Sequence, residues 1–172
     1  MNYFQFYRIP VNFLIDKDLL NRKYFEYIKL YRPENYSLQS PKDQIKNIEL
    51  ADLNNKAFRT LSDPEKRMRY ILEIKGIFDK NTPVPISFLK AVNPIELEVK
   101  KLLEKGVGST QKIRSEIDQL EKGSYEQVQS IVERYKDGTT TDDELKEVEI
   151  FYHKKQYLLR IRELLNTFEE NF

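Results

Sequence analysis

The chain has 172 residues, enough for one domain or two small ones. Its 29 Lys and Arg residues nearly balance 28 Asp and Glu residues, and the formal net charge of +1 argues against a dedicated nucleic-acid-binding domain. Cysteine is absent, which excludes disulfides, a thiolate nucleophile and cysteine-ligated metals. Because no apolar stretch approaches the roughly 20 residues of a membrane span and the N-terminus lacks a signal-peptide pattern, we expect a soluble cytoplasmic protein.

The first half of the chain has the pattern of a helical hairpin. Apolar residues recur at helical spacing after Asp16, a plausible N-cap, as far as Tyr31. Pro33 disfavours a helical conformation in the residue before it, so the first helix should end near Tyr31. A polar loop over 35–41 precedes a second helix that starts at Pro41, and such a pair predicts an antiparallel hairpin.

A short basic helix and a linker follow the hairpin. Asp63-Pro64 combines a capping residue with a proline at the first helical position, and Gly76 suits the position just beyond the C-terminus. The segment 77–85 contains two closely spaced prolines, which break both helix and sheet. We therefore predict a domain over 1–76, a linker over 77–85 and a second domain over 86–172.

The second domain is predicted to be an antiparallel three-helix bundle, which makes the protein all-α. Its first helix should run to about Lys105, with Asn93-Pro94 interrupting or restarting it. A glycine-containing turn over 106–109 should lead to a second helix that ends near Lys136, with Gly123-Ser124 as a candidate break or bend. The last helix is predicted to start at a capping box over 141–144.

The sequence offers little support for an enzyme. His153 is the only histidine, and it has no second histidine or cysteine with which to form a metal site. The stretch 106–110 resembles a phosphate-binding loop only superficially, since it lacks the lysine and the preceding strand. No nucleophile elbow is present. We therefore expect no catalytic residue, no metal ligand and no cofactor.

The stretch from Leu53 to Tyr70 resembles the segment that closes a J-domain, through its spacing of Asn, Ala-aromatic, Leu, Asp-Pro, Arg and Tyr. Together with the Met-x-Tyr-Phe opening, the proline-containing linker and the helical C-terminal half, it makes nearly the whole chain similar to the HscB family, which consists of J-type co-chaperones of iron–sulfur cluster assembly. The positions that carry this resemblance are Met1, Tyr3, Phe4, Pro10, Tyr31, Pro33, Ala57, Leu61, Pro64, Arg67 and Tyr70.

The resemblance implies two partner-binding surfaces and no catalysis. One would bind a DnaK-type (HscA-like) chaperone and stimulate its ATP hydrolysis, and its residues would be Arg22, Lys23, Lys29, Arg32, Pro33 and Glu34. The other would hold an iron–sulfur scaffold protein (IscU-like), through Phe88, Leu89, Val92, Ile95, Glu96 and Tyr152. Neither a nucleic acid nor a membrane is implied as a partner.

The chain departs from the family pattern at both surfaces. Arg32 and Glu34 stand where J-domains carry the His and Asp of His-Pro-Asp. A guanidinium group only donates hydrogen bonds, whereas an imidazole can also accept them. After Phe88-Leu89 the chain also lacks the family's Met-Glu pair. The alternative function is therefore a J-like interaction module that binds the scaffold or another client without stimulating the chaperone.

Each surface also has a purely structural explanation. The basic residues of the first surface could be an ordinary solvated helix face. The apolar residues of the second could be buried against the J-domain, because an apolar patch at a domain junction serves either purpose.

Overall fold

The computed structural model describes residues 1–35, 40–106 and 109–171. Within these ranges all regular secondary structure is helical, which confirms the all-α prediction. The described helices are α1 (Tyr3–Tyr7), α2 (Lys17–Leu30), α3 (Pro41–Leu61), α4 (Pro64–Ile74), α5 (Ile86–Lys105), α6 (Gln111–Glu126), α7 (Gln129–Arg134) and α8 (Asp142–Asn171). Parts of the predicted loop over 35–41 and of the predicted turn over 106–109 lie outside the described residues.

The chain divides into two compact units. Unit 1 comprises Met1–Gly76 together with Tyr135–Thr139, and unit 2 comprises Ile77–Arg134 together with Thr140–Phe172. Within unit 1 the ring of Tyr135 packs edge-on against that of Phe13, with 4.8 Å between the ring centroids. The short segment after α7 therefore belongs structurally to the first unit, although the predicted division places it in the second domain.

The helices of unit 1 begin and end where local chemistry predicts. The carboxylate of Asp16 accepts hydrogen bonds from the first turn of α2, and that of Asp63 does the same for α4. The α2 helix ends at Leu30, as Pro33 predicts. Gly76 follows α4 with a φ of +69°, a left-handed conformation that favours glycine.

A buried asparagine connects the first three helices. Asn54 of α3 is only 1% exposed, and its Oδ1 lies 2.7 Å from the hydroxyl of Tyr7 on α1. Its Nδ2 donates to the carbonyl oxygen of Tyr24 on α2, at 3.2 Å. Tyr24 also stacks on Phe58 of α3, with 4.1 Å between the ring centroids. The position of α2 is therefore set by polar and aromatic contacts to α3.

Two positions that carry the family resemblance have clear structural roles. Arg67 is buried, and its guanidinium donates hydrogen bonds to the carbonyl oxygens of Phe13 and Leu61. Burial lowers the pKa of Arg67, which the nearby Asp63 partly offsets. The hydroxyl of Tyr70 accepts a hydrogen bond from the backbone N–H of Tyr3 at 2.9 Å. These two residues of α4 hold the start of α1, the segment before α2 and the end of α3.

Unit 2 is a bundle of α5, α6 and α8 around one apolar core. The core consists of Phe88, Val92, Ile95, Val99, Leu102, Ile113, Ile117, Leu158, Ile161, Leu165 and Phe168. Arg114 near the start of α6 pairs with Glu169 near the end of α8, whereas Arg162 pairs with Glu121 further along α6. This reversed order shows that α6 and α8 are antiparallel, as predicted for the bundle.

Two predicted details of the bundle are wrong. Pro94 does not interrupt α5, which is continuous from Ile86 to Lys105. Val92 and Ile95 are buried on either side of it, and this packing outweighs the missing backbone hydrogen bond. The second helix is divided in two, but not at Gly123-Ser124: α6 runs through both residues to Glu126, and α7 begins at Gln129.

Candidate partner-binding surfaces

The outer face of α2 presents basic side chains to solvent. Arg22 and Lys29 are exposed and lie two helical turns apart, which places them on the same face. Lys23 is partly buried instead, and its Nζ lies 3.7 Å from a carboxylate oxygen of Glu26. The structure therefore places two of the three predicted helix residues on one face and Lys23 at its edge.

The Arg-Pro-Glu tripeptide follows this face directly. Arg32, Pro33 and Glu34 are exposed, and a 3-10 turn runs over Pro33–Asn35. The backbone N–H of Asn35 donates to the carbonyl oxygen of Arg32 at 2.9 Å, which closes the turn.

The side chain of Asn35 fastens the turn to the end of α2. Its Nδ2 donates to the carbonyl oxygen of Lys29 at 2.6 Å and to that of Leu30 at 3.3 Å. The last carbonyl groups of a helix have no partner within the helix, so an amide in this position satisfies them. The sequence reasoning did not identify Asn35 as a positioning residue, although an asparagine soon after a helix end was the available signal.

The positive charges of this surface are not neutralised within the part of the chain that the structure describes. There, Arg22, Lys29 and Arg32 form no ion pair. A depression of about 770 Å³ lies over the same face, and Phe25 and Leu30 are in its lining. The surface combines positive charge with exposed apolar side chains.

The residues predicted to bind the scaffold protein divide into two groups. Phe88, Val92 and Ile95 are buried in the core of unit 2, and unit 2's own helices supply the neighbouring core residues. Tyr152 is also buried, with its ring edge-on to that of Phe78. That these four residues contact a partner stays a prediction, and such contact would require the core to open.

The other two predicted residues are more accessible. Leu89 is 37% exposed. Glu96 is partly buried, and its carboxylate accepts a hydrogen bond from the hydroxyl of Tyr157 at 2.6 Å. This bond links α5 to α8 and raises the pKa of Tyr157.

A second apolar stripe lies on the outer side of α5, and Leu89 is its one predicted member. Ile86 is 73% exposed and Leu97 is 51% exposed, and helical spacing places both on the side of α5 away from the core, with Leu89 partly around the helix from them. The exposed Lys90 and Lys100 flank this stripe. The available signal in the sequence was that Ile86, Leu89 and Leu97 do not fall on the helix face formed by the buried core residues. The large apolar side chains of α5 that are accessible are therefore Ile86, Leu89, Leu97 and Leu103, of which the first three make up this stripe.

Among the described residues, no group of three or more His, Asp or Glu side chains could hold a metal ion. The Nε2 of His153 lies 3.0 Å from the carbonyl oxygen of Asp79, and its ring stacks on Phe78. Through these contacts His153 of α8 has a structural role, because it holds the segment that begins unit 2. None of the described helices is sufficiently long and apolar to cross a membrane.

Comparison with known proteins identifies sequence relatives that are named as HscB co-chaperones. The chain is 34% identical over 77 residues to the co-chaperone protein HscB homolog of Vibrio cholerae, a match that covers 45% of each chain. It is 36% identical over 77 residues to the co-chaperone protein HscB of Proteus mirabilis, covering 45% of this chain and 44% of the other. The match thus spans less than half the length of these curated relatives. No family model matches the chain.

Solved structures extend the similarity in fold to nearly the whole chain. The crystal structure of human co-chaperone protein HscB superposes with a TM-score of 0.75 at 22% identity, covering 100% of this chain and 84% of the other. Chaperone HscB from Vibrio cholerae superposes with a TM-score of 0.63 at 21% identity, covering 96% and 99%. At these identities the superpositions show the fold alone. The comparisons confirm the predicted resemblance: the chain is similar to HscB-type co-chaperones in sequence over 77 residues and in fold throughout.

Proposed function

We propose that the protein is a co-chaperone that brings an IscU-like iron–sulfur scaffold protein to a DnaK-type, HscA-like chaperone and stimulates its ATP hydrolysis. The observation that carries this proposal is the basic face of α2, which leads into the ordered, exposed Arg32-Pro33-Glu34 turn. In sequence, this tripeptide stands where the resemblance to J-domains would put His-Pro-Asp. The similarity to HscB homologues supports the assignment.

The charge of the α2 face indicates the kind of surface that it binds. Arg22, Lys29 and Arg32 form no ion pair within the described ranges, so their charges favour an acidic partner surface. Unneutralised charges of one sign also accelerate the encounter of two proteins. Glu34 provides a carboxylate beside Arg32, on a side chain one methylene longer than aspartate. The turn therefore retains an acceptor at the third position of the tripeptide.

The client surface in this proposal is the accessible stripe of α5, formed by Ile86, Leu89 and Leu97. Exposed apolar side chains distributed over about three turns of one helix can contact an extended surface of a partner. The flanking lysines favour a partner with acidic residues around an apolar patch. Phe88, Val92 and Ile95 support this surface from beneath, because they fix α5 in the bundle core.

Single-turnover ATP hydrolysis tests the chaperone-binding surface. Lys29→Ala and Pro33→Ala should each reduce the stimulation of the chaperone about tenfold, because one removes a charge of the face and the other loosens the turn. Lys66→Ala is the matched control, since this exposed lysine lies on α4 and its removal also lowers the net charge by one. Equal stimulation by wild type and both test variants would contradict the proposed surface.

Titration with the scaffold protein tests the client surface. Leu97→Glu should weaken scaffold binding about tenfold or more, because it places a charge within an apolar contact. Leu164→Glu is the matched control, as this leucine of α8 is 50% exposed, close to the 51% of Leu97. Unchanged scaffold affinity in Leu97→Glu would remove this face of α5 as the binding surface, whereas equal loss in both variants would show damage to unit 2 as a whole.

The second candidate function is a J-like module that binds the client without stimulating the chaperone. The substitution of Arg32 for histidine favours it, because a permanent positive charge replaces a group that can also accept a hydrogen bond. Scaffold binding by a protein that leaves the chaperone's ATP hydrolysis unchanged would establish this alternative.

A further inference from the structure

Phe25 lies at the centre of the basic face of α2. It is 58% exposed, and helical spacing places Arg22 on one side of it and Lys29 on the other. The buried side of the same helix is already occupied by Leu20 and by Tyr24, which contacts α3. The ring of Phe25 contacts that of Tyr24, with 5.4 Å between the ring centroids, but lies outside the buried core of unit 1.

The surroundings of Phe25 have the composition of a binding site. The depression over α2 has Phe25 and Leu30 as its apolar members, and both are more than half exposed. Polar side chains surround them, including Arg22 and Lys29. An apolar centre with a polar rim is the usual arrangement of protein–protein interfaces, and aromatic residues dominate the energetics of their centres.

The charges around Phe25 favour an acidic partner. Arg22 and Lys29 flank the ring and form no ion pair within the described parts of the chain. Glu26 is engaged by Lys23, at 3.7 Å. Asp18 is in the first turn of α2, where the helix dipole already favours a negative charge. The charges of Arg22 and Lys29 therefore favour a partner surface that carries negative charge.

We propose that Phe25 is the apolar anchor of the chaperone-binding surface, inserting its ring into an apolar recess bordered by acidic side chains on the DnaK-type chaperone. This inference rests on the proposed function and adds to it a residue that selects among chaperones. The cations steer the encounter and set its rate, whereas the buried ring slows dissociation. A chaperone with an acidic surface but no recess would bind this protein weakly.

The test is binding of the purified full-length protein to its DnaK-type chaperone in the ATP state, with association and dissociation rates measured separately. Phe25→Ala should raise the Kd about tenfold, a change of about 1.4 kcal/mol, mainly through faster dissociation. Phe25→Leu, which keeps an apolar side chain, should bind within about threefold of wild type. Leu14→Ala is the matched control, because Leu14 is a 52% exposed residue of unit 1 outside the depression.

Folding is controlled in the same experiment. Because Phe25 is largely exposed, the urea midpoint of Phe25→Ala should match that of wild type. If the urea midpoint of Phe25→Ala falls, the Phe25→Leu variant provides the test, because the proposal requires this variant to retain both the stability and the chaperone affinity of wild type. Weak binding by a stably folded Phe25→Leu variant would overturn the proposal of an apolar recess.

The outcomes separate this inference from the proposed function. An unchanged Kd for Phe25→Ala beside weakened binding by Lys29→Ala would overturn the anchor and leave the chaperone surface standing. Absence of chaperone binding by the wild type would remove both. If Phe25→Ala instead abolishes self-association and leaves chaperone affinity intact, a second copy of the chain occupies the depression and the proposal fails.

Discussion

The hydrogen bond between Tyr7 and Asn54 should show strong energetic coupling in a double-mutant cycle. The hydroxyl of Tyr7 lies 2.7 Å from Oδ1 of Asn54 and 2.9 Å from its main-chain oxygen, and both residues are at most 1% exposed. Burial also raises the pKa of Tyr7, so the hydroxyl remains a donor throughout the physiological range. We compare Tyr7→Phe, Asn54→Leu and the double variant.

The expected losses in the free energy of unfolding depend on which buried groups lose their hydrogen-bond partners. Asn54→Leu removes the bond to Tyr7 and the bond to the carbonyl oxygen of Tyr24, at about 1 kcal/mol each, or roughly 2 kcal/mol in all. Tyr7→Phe leaves the buried Oδ1 of Asn54 without this donor, which costs about 1–3 kcal/mol. The double variant replaces both partners with apolar groups, so it should cost about 2 kcal/mol, well below the sum near 4 kcal/mol.

Urea unfolding followed by far-UV circular dichroism measures these free energies, with the m-values compared to confirm that the same surface is exposed. Amide hydrogen exchange in α3 reports the stability of unit 1 separately from that of unit 2. Tyr3→Phe is the control, a half-buried tyrosine of the same helix that should change stability by less than about 0.5 kcal/mol. Additive costs in the double variant, within about 0.5 kcal/mol, would refute the reasoning.

Three further predictions concern other parts of the fold. Pro94→Ala should stabilise unit 2 by about 1–3 kcal/mol in urea unfolding, because it restores a backbone donor within α5, and an unchanged midpoint would contradict this. The Thr141 N–H holds the pKa of Glu144 below 4.5, so the stabilising contribution of this carboxylate is complete above that value and is lost as the pH falls through the folded-state pKa. The stability difference between wild type and Glu144→Gln should therefore be constant between pH 7 and about pH 5 and shrink below it. Asn35→Asp should destabilise unit 1 more than Asn35→Ala, by about 0.5 kcal/mol, because a carboxylate cannot donate and adds negative charge at the C-terminus of α2.

The sequence predicted those parts of the fold that local chemistry determines. The capping carboxylates of Asp16 and Asp63, the restriction imposed by Pro33 and the left-handed position of Gly76 act within a few residues of their own position. Their effects therefore appear in the sequence as short patterns. The capping box over 141–144 is confirmed in the same way, with Thr141 and Glu144 exchanging hydrogen bonds.

Features that depend on distant contacts could not be predicted. Pro94 remains within α5 because helices far away in the sequence bury Val92 and Ile95. The association of Tyr135 with Phe13 similarly joins residues more than a hundred positions apart. No local pattern reports such a contact.

The same difference between local patterns and distant contacts applies to the candidate sites. On α2 the sequence predicted a basic face with Arg22, Lys23 and Lys29; the structure exposes Arg22 and Lys29 and partly buries Lys23, and binding of a chaperone by this face stays a prediction. On α5, however, periodicity identifies two apolar stripes without saying which one the bundle buries. The predicted set combined Phe88, Val92 and Ile95, which the structure places in the core, with Leu89, which is accessible.

The most direct test of the proposed function is single-turnover ATP hydrolysis by the DnaK-type chaperone in the presence of the scaffold protein, comparing wild type with the Arg32→His/Glu34→Asp double variant. We predict strong stimulation by the wild type, because its turn is ordered by Asn35 and keeps a carboxylate at position 34. Stimulation by the double variant alone, or by neither protein, would contradict the account.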